Sequence, residues 1–173
     1  MTGVAPRGGV CVLVLVSALA MTACGGGAAT AVPVGGAGTL TVASTGEEAW
    51  KMEVLELTNA VRAEHGLQPL ILDPVASEAA YEHSWDMHLR GFFDHVNPDG
   101  EHPHDRLARH GVEFEISREN LARGHASPQD VVEGWMASPS HRANILYGGW
   151  THIGVAVHSG AANGPWWAQE FYR

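Results

Sequence analysis

The sequence predicts an α+β domain, and three observations carry that prediction. Between residues 47 and 90 apolar side chains recur with the 3.6-residue period of helices. Residues 153–172 alternate in two runs around Asn163-Gly164, the pattern of a β-hairpin. Between them, Glu113-Phe114-Glu115-Ile116 also alternates, as a strand or an extended loop.

The first residues stand apart from that domain. Arg7 precedes an apolar run over residues 10–20, too short to span a bilayer as a mature helix, and Met21-Thr22-Ala23-Cys24 follows. This reads as a secretory signal over residues 1–23. A small residue before a cysteine is similar to the bacterial lipobox, so Cys24 is the expected lipidation site; the alternative is a free Cys near an ordinary cleavage site. Residues 24–46, rich in Gly, Ala and Thr, read as a flexible tether, leaving residues 47–173 for the domain. The only cysteines are Cys11 and Cys24, so the domain has no internal disulfide and depends on its core.

In the first helix Trp50, Val54, Leu57 and Val61 form one stripe, Glu47 and Glu48 suit its N-terminal dipole, and Gly66 is a stop signal. Asp73-Pro74 predicts a capped second helix running to about Arg90, with Gly91 beyond its end. Val75, Ala79, His83 and Met87 line up on it. His83 and His88, five apart, do not share a face as a zinc pair would, and both read as structural. Asn97-Pro98-Asp99-Gly100 is a turn, and residues 105–110 a short helix. Ser127 and Pro128 open a helix to about Ala137; after Ser138-Pro139 a shorter one covers residues 141–145. Trp166 and Trp167, as neighbours on a strand, point to opposite faces, one to the core and the other toward a surface or cleft.

Function turns on three words: GFFDHVNPDG at residues 91–100, RENLARG at 118–124 and SPSHRANIL at 138–146. Each offers one polar group of catalytic or ligating type: His95, Glu119 and His141. They stand 24 and 22 residues apart, so only a fold could join them. In this order, and followed by a Gly-rich strand pair, the words resemble the CAP superfamily (SCP-like; cysteine-rich secretory proteins, antigen 5, pathogenesis-related proteins), in its bacterial branch. That resemblance implies a three-layer α-β-α sandwich and a cleft holding two His and two acids. His95, Glu119 and His141 match three of these, while the second acid's position falls on Ser138.

Two imidazoles and a carboxylate could hold Zn²⁺ with an open position, or act without metal as acid and base. Singly, His95 could be a turn residue, Glu119 a partner for an Arg, and His141 a helix-terminal residue. No G-x-S-x-G or HExxH is present, and no free Cys is left in the domain, so the sequence shows no enzyme. The formal net charge of −9 argues against nucleic acid as a partner and against electrostatic adhesion to anionic lipid. The resulting expectation is an extracytoplasmic, lipid-anchored module. Its His/Glu cleft (His95, Glu119, His141, Ser138) would take a small ligand, lipid, glycan or divalent metal. A metal-dependent hydrolase of envelope peptide or glycan, and a structural protein with a vestigial cleft, are the alternatives.

Overall fold

A computed structural model describes residues 45–173 apart from Ala161. The expected signal, the lipidation site Cys24 and nearly all of the tether lie outside the described residues. Helix α1 spans Thr45–Glu64. Its predicted stripe of Trp50, Val54, Leu57 and Val61 packs into the larger core cluster. Gly66, at φ 71°, turns the chain out of the helix. A two-residue strand β1 (Ile71–Leu72) leads to α2 (Pro74–Arg90). Asp73 Oδ1 accepts from the Val75 N–H at 2.7 Å, Pro74 occupies the first turn, and Gly91 ends the helix in the left-handed conformation. The buried face of α2 carries Ala76, Ala79, Ala80, His83, Ser84 and Met87; Val75, expected on this stripe, is exposed instead.

Helix α3 covers Pro103–Arg109, two residues earlier than the sequence suggests, because the Asp105 carboxylate accepts from the His102 N–H and fixes the start there. The middle strand is also displaced. Residues 113–116 are irregular, and β2 is Ser117–Arg123, within the RENLARG word itself. Alternation is absent from β2 because one of its faces buries Glu119, so hydrophobicity misses it. Helices α4 (Pro128–Ala137) and α5 (Pro139–Ile145) meet at Ser138, and β3 (His152–His158) with β4 (Trp166–Tyr172) forms the expected hairpin.

The sheet order is β1-β3-β4-β2, with β1 parallel to β3 and the other pairs antiparallel. Side chains divide by the strand period of two. One face holds Ile153, Val155, Val157, Trp167 and Phe171 against α1 and α4, with Trp50 stacked on Trp167 at 5.3 Å. The other holds Ala156, Ala168, Trp166 and Leu121 against α2, and Tyr172 against α2 and α3. This is the expected α-β-α sandwich. Gly154 lets α2 approach closely, since a Cβ there would overlap the backbone of Ala76. Trp166 and Trp167 are both core residues, because each face of β4 has a helix layer over it. No helix among the described residues is long and apolar enough to cross a membrane.

Candidate functional site

The site forms where β2 and β4 lie side by side under α3. Register puts Glu119 of β2 directly opposite Glu170 of β4, on the face that packs against α2 and α3. Arg106, buried on α3, donates to Glu119 Oε2 at 2.7 Å and spends its remaining reach on the carbonyls of His95 and Glu101. The second oxygen of Glu119 accepts from His95 Nδ1, also at 2.7 Å. One guanidinium therefore fixes both the carboxylate and the loop that presents His95.

The electrostatics follow from this clamp. Burial resists ionisation of Glu119, but the His95 hydrogen bond, the Arg106 charge and a hydrogen bond with Glu170 together lower its pKa below the usual carboxylate value. The Glu119 hydrogen bond raises the pKa of His95, with burial opposing. Glu170 is fully buried; burial first, then the Glu119 charge, raises its pKa well above the ordinary value. Apart from Glu119, neither Glu170 oxygen has a hydrogen-bond partner, and Arg106 is 4.0 Å away. The raised pKa favours the protonated form of Glu170, and a proton held there has Glu119 as its acceptor.

Helix α5 closes the opposite side. Asn144 donates to the Glu119 carbonyl and to Asn120 Oδ1, while Asn120 donates to the His141 carbonyl, so two amides pin α5 to β2. His141 stands one turn before Asn144. Burial and then the charge of His95 lower its pKa. Between these elements lies an open depression of about 300 Å³, lined by His95, Pro103, His104, Ser117, Arg118, Glu119 and Asn144.

The structure thus joins His95 to Glu119 directly and sets His141 close enough to feel the charge of His95, with no side-chain bond to either. Ser138 is the N-cap of α5; its Oγ lies 3.3 Å from Ser140 Oγ, outside the depression's lining. Gln169 points into the core, donating to Thr58. Glu170 escaped sequence reasoning. The signal was present: in the alternating row Trp166, Ala168, Glu170, Tyr172 a carboxylate occupies a position otherwise filled by apolar or aromatic residues.

The residues do not fit a three-ligand zinc site in this geometry. Glu119 is buried with each oxygen already accepting a hydrogen bond, and the adjacent guanidinium would repel a divalent ion. Among the described residues no group of three or more His, Cys, Asp or Glu side chains is placed to hold a metal. What remains free at the site is His95 Nε2, with Nδ1–H oriented by the carboxylate and the side chain about half exposed.

Comparison with known proteins adds an independent line. A model of the cysteine-rich secretory protein family, CAP, matches residues 55–171. YkwD of Bacillus subtilis is 40% identical over 134 residues, covering 77% of this chain and 51% of that protein. An extracellular protein containing a SCP domain, from Bacillus anthracis, superposes with a TM-score of 0.67 at 32% identity, over 73% of this chain and 41% of that one. An outer surface protein of Borrelia burgdorferi shares the fold (TM-score 0.66, 22% identity, 71% and 92% covered). The chain spans about half the length of YkwD.

Proposed function

The chain belongs to the CAP, or cysteine-rich secretory protein, family, and from that premise we propose that it is an exported, lipid-anchored domain that binds a small envelope ligand at the depression beside His95. The observation that carries this reading is the burial of Glu119 between two hydrogen-bond donors. With one oxygen on Arg106, the other on His95 and its side chain only 1% exposed, it is shut away from solvent and would have to give up a buried ion pair to act as a base. A carboxylate so held orients instead: it fixes His95 with Nε2 turned from it as a hydrogen-bonding group toward a ligand, while Ser117, Arg118 and Asn144 supply further polar groups around it. Such a shallow site with a few convergent polar groups suits recognition of a lipid headgroup or a glycan unit.

The localisation part of the proposal rests on the signal and the residues around Cys24. Two of the similar structures are described as an extracellular protein and an outer surface protein, which agrees with it.

Calorimetry on the full chain tests the site, using lysophosphatidylcholine, an N-acetylglucosamine oligomer and zinc chloride as separate probes. The expected result is saturable binding of an organic probe that His95→Ala abolishes while circular dichroism is unchanged. Equal binding by His95→Ala would move the ligand elsewhere. Saturable zinc binding lost in His95→Ala/His141→Ala, together with His95-dependent cleavage of envelope peptide or glycan, would replace this reading with the hydrolase.

A further inference from the structure

A second surface occupies the other end of β2 from the cleft. Arg123, Trp166 and His158 form one cross-strand row on the face beneath α2. Trp85, His88 and Phe93 cover it: the rings of Trp85 and His158 are 4.6 Å apart, those of His88 and His158 4.9 Å, and those of Phe93 and Trp166 6.0 Å. The Arg123 guanidinium stands 4.9 Å over Trp166 and 5.5 Å from Phe93. Trp166 and His158 are buried, but their cover is open to water. Trp85 is 43% exposed, Phe93 47%, and Leu89, one turn along α2 from Trp85, 67%. Three of the seven exposed large hydrophobic residues in the described domain are thus gathered on one face, beside an arginine.

The position of the preceding chain indicates what covers this face. In the first turn of α1, Glu47 Oε1 accepts from the Ser159 N–H and hydroxyl at 2.7 Å and lies 4.0 Å from His158 Nδ1. The described chain therefore begins at the edge of the aromatic row. The chain from Cys24 to Thr45 can span at most about 75 Å even when fully extended. Acylation of Cys24 would hold the start of the described domain within that distance of a bilayer.

We propose that Trp85, Leu89 and Phe93 form a bilayer-contacting face, with Arg123 placed at the level of the lipid phosphates. Indole and phenyl groups favour the membrane–water interface, aliphatic groups the acyl region just below it, and arginine the phosphate plane above. A glycan platform fits less well, because the most exposed member is Leu89, which offers no hydrogen bond. The protein's net charge of −9 opposes adhesion to anionic lipid, so the contact is weak alone and relies on the high local concentration a tether supplies. The proposal rests on the envelope-anchored reading and deepens it. Phe93 precedes His95 by two residues, and Glu119 and Arg123 are separated by about 13 Å of strand, so the cleft would open near the headgroups.

The test uses the full chain, in acylated form and as Cys24→Ser, with phosphatidylcholine vesicles carrying brominated acyl chains. Cosedimentation reads anchoring and tryptophan quenching reads the face, because Trp85 is the one exposed indole among the six. Expected are quenching of the acylated protein that Trp85→Phe removes, and partitioning of the unacylated form weakened about tenfold by Leu89→Ser/Phe93→Ser. Cosedimentation without Trp85-dependent quenching would overturn the face and leave the anchor standing. Trp85-dependent quenching that is equal in both forms would keep the face and dismiss the anchor. Neither signal would dismiss both.

Discussion

Replacing Glu170 by Gln removes one titratable proton while keeping a hydrogen-bond donor opposite Glu119. In the native domain Glu170 is fully buried and its pKa lies well above 4.5, through burial and then the charge of Glu119. In the unfolded chain it returns to the ordinary carboxylate value. Between those two values the native state binds one proton more than the unfolded state, so stability falls as pH rises through the window. One proton corresponds to about 1.4 kcal/mol per pH unit. Glu170→Gln is neutral in both states and lacks this slope. Urea unfolding of both proteins at steps of about one pH unit from about 4.5 upward reads the difference directly. The two are expected to agree at the acid end, with the variant becoming steadily more stable toward neutral pH. Parallel profiles would refute the shared-proton account, since they would mean that Glu170 titrates alike in the folded and unfolded states.

Arg106→Met leaves Glu119 buried beside Glu170 without its guanidinium, and should cost roughly 3–5 kcal/mol, read as a lower urea midpoint. His95 should titrate above 6.5 by NMR in the native protein, and Glu119→Gln should return it toward that value. Because the folded pKa is the higher one, the stability contributed by protonation of His95 is complete below its unfolded value and is lost as pH rises through the folded one. Gly154→Ala places a methyl against the backbone of α2, 2.7 Å from the Ser77 nitrogen, and should destabilise by about 1–3 kcal/mol in thermal melts.

Much of the architecture is local and was therefore readable. The stripe on α1, the Asp73-Pro74 start and Gly91 end of α2, the Ser127 cap of α4 and the alternation of β3 and β4 each depend on neighbours within a few residues. Three words, at His95, Glu119 and His141, marked where the cleft would lie. Bonds across long sequence separations remained hidden. β2 carried no alternation to mark it, because its Glu119 is buried by pairing with Arg106 from another element and local hydrophobicity cannot report such compensation. Glu170 became part of the site only because antiparallel register set it beside Glu119, and Ser138 turned into a helix cap because α4 and α5 meet there. The sequence determined which residue types were available to the cleft. Tertiary structure decided their state: a carboxylate held by one arginine and one histidine, beside a second carboxyl whose burial favours its protonated form.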